Sequence, residues 1–384
     1  MQTITQWLKQ SNYLSPLSPG CRLCKEGAKL VLFITGQCPA TCFYCPLSFE
    51  KGGNDRIYAD EWALADEQDT NVLIEEAHLI NSKGAGITGG DPLIVWARTV
   101  RYIELLKNEF GESFHIHLYT SALQHADHIQ DLIDAGLDEL RFHPLPPTWG
   151  SMETSPLLDP IRSSISSECD VGIEIPVIPQ MKQEIIKLIS WANTQGIQWI
   201  NLNELEFSER NEITLYKKGY TIKRDISSSV KGSETTAREI LDIIAAKDLD
   251  IGLHYCSSSF KDAIQLMNRM KRRAHSIAQD YDIITDEGTI IKGIIEPTNK
   301  QNLNILLTIL MKKHNLRKRE DFIYNEKNNT IEIHAEILDR IHSNLSSNMC
   351  SCFIIERYPT ADGLEVERIP LSNNTDHSIR SFPK

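Results

Sequence analysis

From residue 29 the chain alternates short apolar runs with amphipathic stretches that stop at glycine. The first run, Lys29–Thr35 (KLVLFIT), is almost continuously apolar, as is typical of a strand buried on both faces of a parallel sheet. Six similar runs predict strands at 84–88, 114–120, 137–142, 171–176, 198–203 and 249–254. Between them, apolar residues at helical spacing stop before Gly111, Gly136 and Gly196. This alternation predicts βα units and a parallel sheet, that is, an α/β fold.

After Cys256 the pattern changes to a helix at 260–279, followed by strand pairs that turn at Asp286-Glu287-Gly288 and Asp362-Gly363. Three parts are therefore predicted. They are an N-terminal segment (1–28) with a CxxC pair, a region of βα units (29–256), and a C-terminal α+β domain (257–384) that binds substrate or a partner. The poorly patterned stretch 207–234 is expected to be an excursion between the sixth and seventh units.

Composition narrows the class of protein. Hydrophobic residues make up 41% and charged residues 24% of 384 residues, which suffices for a buried core. No apolar run approaches the ~20 residues of a membrane span, and the N-terminus does not resemble a secretory signal. We therefore expect a cytoplasmic protein without membrane contact, in which the nine cysteines are metal or redox ligands rather than disulfides.

The net charge of −12 argues against a surface built wholly to coat nucleic acid. Two basic runs, at 269–273 and 312–319, run against this overall balance. Such runs are usually a solvated helix face, and contact with RNA is the alternative.

The sharpest chemical feature is the loop that follows the first strand, Cys38-Pro39-Ala40-Thr41-Cys42-Phe43-Tyr44-Cys45. Structural zinc prefers four ligands, whereas three clustered thiolates suit a cubane iron-sulfur cluster with one open iron. A zinc knuckle that takes its fourth ligand elsewhere is the alternative.

This loop resembles the CxxxCxxC loop of the radical S-adenosylmethionine superfamily, which follows the first strand of a partial parallel βα (TIM-like) barrel. The resemblance implies this fold for residues 29–256. The resemblance implies that Cys38, Cys42 and Cys45 hold a [4Fe-4S] cluster and that Tyr44 lies against the adenine of S-adenosylmethionine. By the same resemblance, S-adenosylmethionine chelates the fourth iron of the cluster. An electron from a flavodoxin-type or ferredoxin-type donor then cleaves S-adenosylmethionine and yields a 5′-deoxyadenosyl radical. Within the superfamily, residues 27–48 look like an archaeal-type group related to pyruvate formate-lyase activating enzymes.

A second motif, Ile87-Thr88-Gly89-Gly90-Asp91-Pro92, ends the second strand and resembles the superfamily's GGE-like motif. By this resemblance Gly89 and Gly90 let the backbone approach the cofactor, and Asp91, in place of the usual Glu, accepts hydrogen bonds from its ammonium group. Alone, the glycines would read as an ordinary strand-to-loop turn.

Polar residues that end the later strands are further candidates for cofactor contacts. The resemblance makes Ser121, Arg141 and Glu174 candidates for binding the ribose and carboxylate of the cofactor. A purely structural hydrogen bond is the alternative for each of them.

A second metal site is also possible, because Cys21 and Cys24 precede the first strand while His254 and Cys256 end the seventh. These residues are of the kind that zinc or an auxiliary iron-sulfur cluster accepts. The topology argues against a joint site, because Cys24 is expected near the bottom of the barrel and Cys256 at its top. The alternative is that Cys21 and Cys24 of the CxxC pair bind a metal without Cys256.

These observations favour a radical S-adenosylmethionine enzyme that abstracts hydrogen from an unidentified substrate, either RNA or protein. Two alternatives stay open: a non-catalytic iron-sulfur or zinc protein that senses redox state or scaffolds partners, and an activase of a glycyl-radical enzyme. The sequence specifies neither the reaction outcome, nor whether S-adenosylmethionine is consumed or regenerated, nor the oligomeric state.

Overall fold

A computed structural model describes residues 2–223, 227–247 and 249–371. Residues 224–226 of the predicted excursion lie outside this described part. The chain forms two compact units. The first contains the residues up to His78 together with Ser82–Leu266, and the second contains Leu79–Asn81 together with the residues from Met267 onward. The N-terminal segment therefore packs as part of the first unit.

The first unit is built on one sheet of eleven strands: β1 (Thr5–Gln6), β2 (Asn12–Leu14), β3 (Lys29–Thr35), β4 (Tyr58–Ala59), β5 (Trp62–Ala63), β6 (Gly84–Gly89), β7 (His115–Thr120), β8 (Glu139–Phe142), β9 (Asp170–Val177), β10 (Trp199–Glu204) and β11 (Gly252–Cys256). Strands β3 and β6 to β11 pair in parallel and in chain order. They are the seven strands that the apolar runs predict, so the α/β fold class is confirmed.

The parallel sheet is open, because antiparallel strands cover both of its edges. At one edge β11 pairs with β2, which continues to β1, and at the other edge β3 pairs with β4, which continues to β5. The sheet nevertheless curves, since Lys29 of β3 and His254 of β11 line one interior cavity. A partial barrel results.

Eight helices accompany these strands, as expected for βα units: α1 (Pro19–Lys25), α2 (Thr70–Leu79), α3 (Trp96–Phe110), α4 (Ile129–Asp134), α5 (Leu158–Ile165), α6 (Lys182–Gln195), α7 (Glu212–Lys217) and α8 (Ser233–Lys247). The predicted glycine stops are confirmed after α3, α4 and α6. There Gly111, Gly136 and Gly196 have φ values of +86°, +107° and +81°, a conformation that side chains disfavour.

The interior of the barrel is polar. Successive side chains of a strand face opposite sides of a sheet, so alternate residues of β7, β8 and β10 face inward. The inward positions hold His117, Glu139, Arg141 and Asn201, each at most 3% exposed. Closed βα barrels usually fill this space with branched apolar side chains. A polar interior therefore marks a place where ligands or cofactors can bind.

A helical stretch follows β11 and consists of α9 (Ser258–Phe260), a π-helical segment (Lys261–Leu266) and α10 (Met267–Ile277). The second unit then adds β12 (Ile283–Ile284), β13 (Ile290–Pro297), α11 (Lys300–Thr308), β14 (Phe322–Asn325), β15 (Thr330–Ile333), α12 (Ala335–Ile341), β16 (Cys350–Arg357) and β17 (Glu365–Pro370). Its sheet is antiparallel, in the order β14-β15-β13-β16-β17, with β12 on β13.

Both predicted hairpins of the second unit form, β12 with β13 and β16 with β17. Gly288 and Gly363 turn them with positive φ. Cys350 and Cys352 share one face of β16 and lie in the hydrophobic core of this unit. None of the described helices is long and apolar enough to cross a membrane.

Candidate functional site

A cavity of about 560 Å³ lies at the carboxyl ends of the parallel strands. Its walls include Cys38, Cys42 and Cys45 from the loop after β3, and residues that end β6, β7, β9 and β10. The position follows from topology, because parallel strands present their carboxyl ends at one edge of a sheet. The three thiols thus face the same space as the strand ends.

The base of the cysteine loop is fixed by backbone hydrogen bonds. Gly36 donates to the carbonyl of Asn54 at 2.8 Å and accepts from Gly53 at 2.7 Å. A Cβ on Gly36 would lie 1.7 Å from the carbonyl oxygen of Lys51, so only glycine fits there. The loop therefore leaves β3 and returns at one narrow neck.

Arg98 of α3 holds this neck from the side. It makes two hydrogen bonds to Asp55, of 2.7 and 2.8 Å, one to Glu67 and one to the carbonyl of Ile34 at the end of β3. The Arg98 hydrogen bonds lower the pKa of Asp55 below its ordinary value of 3.8. The ion pairs connect the outer helix to the loop that carries the cysteines.

The two glycines at the end of β6 tie that strand to the cysteine loop. Gly90 donates to the carbonyl of Thr35 at 2.7 Å, and the Asp91 amide donates to the carbonyl of Gln37 at 2.8 Å. Gly89 has a φ of +141°, and a Cβ on Gly90 would lie 2.1 Å from the Gln37 carbonyl oxygen. Both glycines line the cavity, so they serve the loop and the cavity together.

Asp91 joins the ends of two strands. It is 1% exposed and is not among the residues that line the cavity. Its carboxylate accepts from Thr120 Oγ1 at 2.7 Å, from the Ser121 amide at 3.0 Å and from the Ser121 hydroxyl, and it caps the turn at Leu93. These bonds connect β6 to β7, and the predicted contact of Asp91 with a cofactor ammonium stays a prediction.

Tyr44 lies in the wall of the cavity and is 6% exposed, and its predicted contact with the adenine stays a prediction. Its hydroxyl lies 2.9 Å from Nε2 of His143, whose Nδ1 lies 2.7 Å from the carbonyl oxygen of Glu174. Burial lowers the pKa of His143, so the neutral ring donates from Nδ1 to that carbonyl and accepts from the tyrosine. His143 therefore orients Tyr44.

Of the three strand-end candidates, Ser121 and Glu174 line the cavity and Arg141 does not. Arg141 is 2% exposed and its guanidinium faces the barrel interior, where it pairs with Glu139 at 2.5 Å and Glu174 at 2.8 Å and contacts Ser18 at 2.7 Å. These partners place the guanidinium in an interior network of polar side chains, and its predicted contact with the ribose or carboxylate of the cofactor stays a prediction.

The Glu174 carboxylate connects the two regions. Its Oε2 accepts from Arg141 and, at 3.0 Å, from Asn201, and its Oε1 accepts from Asn203 at 2.7 Å. Glu174 lines both the cysteine cavity and the interior cavity beneath it. A ligand in either space would therefore meet the same carboxylate.

Cys21, Cys24 and Cys256 all line the interior cavity, which has a volume of about 290 Å³. Topology predicts Cys24 near the bottom of the barrel and Cys256 at its top, yet both line this one cavity, and α1 packs against β3, β6 and β7. Among the described residues, the three sulfurs do not form a group of ligand atoms within 4.8 Å of one another. The second metal site stays a prediction.

Burial acts on the thiols of the loop as well. It raises the pKa of Cys38 to about 11 and also raises that of Cys42. Thiols of this kind bind metal only as thiolates, so a cationic metal centre would have to displace their protons.

The sequence reasoning did not single out two further residues of the cavity, Asn211 and Lys261. Asn211, 3% exposed, donates to the carbonyl oxygens of Tyr44 at 3.1 Å and Glu206 at 3.0 Å, and so supports the end of the cysteine loop. Lys261 pairs with Glu206 at 2.6 Å. Lys261 follows β11 closely, so a search for polar residues near the carboxyl ends of the strands could have found it. No sequence motif indicated Asn211.

Comparison with known proteins agrees with this arrangement: the chain belongs to the radical S-adenosylmethionine superfamily of enzymes. It is 39% identical over 378 residues to a protein of Methanocaldococcus jannaschii that carries the provisional name glycyl-radical enzyme activating enzyme. That match covers 97% of this chain and 96% of the archaeal protein, so the two proteins are related over nearly their whole compared length.

Residues 288–371 match a family described only as a domain of unknown function, DUF8061. Two solved structures are distantly similar. Streptococcus suis SuiB bound to S-adenosylmethionine is 12% identical, with a TM-score of 0.42 over 62% of this chain and 53% of SuiB. Methylornithine synthase (PylB) is 10% identical, with a TM-score of 0.38 over 62% of this chain and 75% of PylB.

Proposed function

We propose that Cys38, Cys42 and Cys45 hold a [4Fe-4S] cluster, and that S-adenosylmethionine binds beside it in the 560 Å³ cavity. The observation that carries this proposal is the arrangement of three thiols from one loop around a cavity at the carboxyl ends of the strands. Membership of the superfamily supports the same reading.

The residues present fit such a cluster. Among the described residues, the three sulfurs do not converge within 4.8 Å, which suits a polynuclear centre better than a single zinc ion. The cavity volume also lies in the range of about 300–1,000 Å³ that is usual for cofactor pockets.

When bound, the cluster and the cofactor supply a one-electron cleavage to methionine and a 5′-deoxyadenosyl radical, for hydrogen abstraction from substrate. The side chains of the cavity position the cofactor. Tyr44, fixed by His143, offers an aromatic wall for the adenine, and Ser121 and Glu174 offer polar atoms to the rest of the cofactor. Gly89 and Gly90 allow close approach of the backbone.

A protein is the better candidate for the substrate than RNA. The archaeal relative is named for activating another enzyme, and glycyl-radical activation is the form of this function that the name suggests. The basic runs are partly used within the chain: Arg273 is 4% exposed, and Arg317 pairs with Glu320 and Asp321. An electron donor of the flavodoxin or ferredoxin type completes the proposed partners.

The cleavage reaction tests the proposal directly. The protein is reconstituted anaerobically with iron and sulfide, supplied with S-adenosylmethionine and dithionite, and assayed for 5′-deoxyadenosine. We expect product from the native chain and from Cys169→Ala, a buried cysteine outside the cavity, and none from Cys42→Ala. A fully loaded native protein that neither cleaves nor binds the cofactor would instead favour a redox sensor or scaffold.

The substrate class is tested in the same assay. Protein and RNA fractions from the organism that encodes the chain are added separately to the loaded enzyme. Stimulation of 5′-deoxyadenosine formation by the protein fraction, lost after protease treatment, is expected. Stimulation by RNA alone would reverse the assignment.

A further inference from the structure

The interior cavity beneath the cysteine loop holds an unusual set of side chains. Three thiols, those of Cys21, Cys24 and Cys256, line its roughly 290 Å³ together with His254. Cys21 and Cys256 are 5% and 7% exposed, and none of the three forms a disulfide. Soft thiolate and imidazole ligands in one enclosed space are the donor set of iron-sulfur clusters and zinc.

The helix that carries the CxxC pair is built into the barrel. Ser18 caps α1 by accepting from the Cys21 amide at 3.1 Å, and the Gly20 amide donates to Glu139 at 3.1 Å. A Cβ on Gly20 would lie 2.7 Å from both Arg141 Nη2 and His117 Nδ1. Only glycine lets the helix approach this closely, and three-residue spacing then sets both thiols on one helix face.

His254 provides the independent sign of a ligand. It is 3% exposed and lines the cavity, yet neither of its ring nitrogens has a hydrogen-bond partner among the residues that the structure describes. A buried imidazole normally satisfies at least one nitrogen, because leaving both unpaired costs the desolvation of each. A ligand in the cavity would remove this deficit.

Two of the sulfurs already receive N–H donors. Arg141 Nη2 lies 3.6 Å from the sulfur of Cys21, and Gln265 Nε2 lies 3.7 Å from that of Cys256. Donors of this kind stabilise thiolates and tune the potential of an attached cluster. N–H donors thus lie against two of the three sulfurs, and the Cys21 thiol also donates to Asn201 Oδ1 at 3.4 Å.

We propose that Cys21, Cys24, Cys256 and His254 hold a second iron-sulfur cluster inside the barrel. A cluster is favoured over zinc because, among the described residues, the three sulfurs do not lie mutually within 4.8 Å. Tetrahedral zinc at ~2.3 Å from each sulfur would need them closer together than this, whereas a cluster spreads its ligands over several irons.

The second centre would adjoin the first. Thr88, Tyr119, Glu174 and Asn203 line both cavities, so one layer of side chains separates the two spaces. The second cluster does not depend on cleavage of S-adenosylmethionine, because it requires only that the side chains of the interior cavity bind iron and sulfide.

Iron and acid-labile sulfide content test the proposal on the anaerobically reconstituted full chain. The loop variant Cys38→Ala/Cys42→Ala/Cys45→Ala removes the first site, and Cys21→Ala/Cys24→Ala/Cys256→Ala removes the second. Cys169→Ala/Cys350→Ala is the matched control, because both cysteines are buried elsewhere. We expect the loop variant to keep about two to four irons with equal sulfide, and the combined six-site variant to keep none.

A loop variant without iron, or an interior variant with the iron content of the native chain, would overturn the proposal. Zinc in the interior without sulfide would overturn it as well. To guard against misfolding, His254→Ala is made in the loop variant, where it is expected to shift the electron paramagnetic resonance spectrum of the remaining cluster; an unchanged spectrum excludes His254 as a ligand. The loop variant cannot cleave the cofactor, so its iron content is read independently of the function proposed above.

Discussion

Replacing Asp91 by alanine is expected to destabilise the first unit substantially, because this carboxylate joins the ends of two strands. Its partners are Thr120, Ser121 and Leu93, with a hydroxyl contact of 2.7 Å to Thr120 and amide contacts of 3.0 and 3.2 Å to the others. All three partners are buried, and Leu93 lies away from the cavity that Thr120 and Ser121 line, so water can replace at most part of the lost hydrogen bonds.

The magnitude follows from these bonds. A hydrogen bond to a charged group contributes about 1.5–3 kcal/mol, and a buried group left without a partner costs about 1–3 kcal/mol. Removing the carboxylate also removes the cost of burying its charge, which offsets part of the loss. We expect Asp91→Ala to lower the free energy of unfolding by about 3–4 kcal/mol.

Tryptophan fluorescence during urea unfolding is the appropriate measurement. All six tryptophans precede residue 200, so the signal reports on the first unit alone. Asp134→Ala serves as control, because Asp134 is exposed and contacts only the exposed Gln130; we expect a change within about 0.5 kcal/mol. If Asp91→Ala left the unfolding curve unchanged but abolished binding of S-adenosylmethionine, Asp91 would be a direct ligand and the reasoning here would be wrong.

Three further predictions address the loop, the aromatic wall and pH. Gly90→Ala places a Cβ 2.1 Å from the Gln37 carbonyl oxygen and is expected to reduce iron incorporation by more than half, whereas Gly150→Ala, with no contact closer than 3.9 Å, should load normally. His143→Phe removes the acceptor of the Tyr44 hydroxyl and should weaken binding of S-adenosylmethionine about tenfold, measured by calorimetry; equal affinity would show that His143 does not position Tyr44. Asp55→Asn should cost about 1 kcal/mol at pH 7, since the pair with Arg98 is partly exposed. The folded pKa of Asp55 is lowered, so this difference should disappear as the pH falls below 3.8, and a difference that persisted in acid would exclude the ion pair as its cause.

The sequence by itself determined the parallel sheet, because apolar runs bounded by glycine stops are local signals. Lys29–Thr35 was predicted with its observed bounds, and Gly111, Gly136 and Gly196 end their helices as expected. The loop with Cys38, Cys42 and Cys45 was also evident, since side chains that lie close together in the chain remain close together in the fold.

The tertiary structure alone decided which polar side chains face which space. The sequence places Asp91 and Arg141 at strand ends, but only the fold gives Asp91 its partner Ser121 and Arg141 its partner Glu174, which are 30 and 33 residues away in the chain. Cys21 meets Cys256 in one cavity because α1 enters the barrel, and no periodicity signals that path. Motifs record chemistry along the chain, whereas the partners that occupy a buried charge are set only by packing across strands.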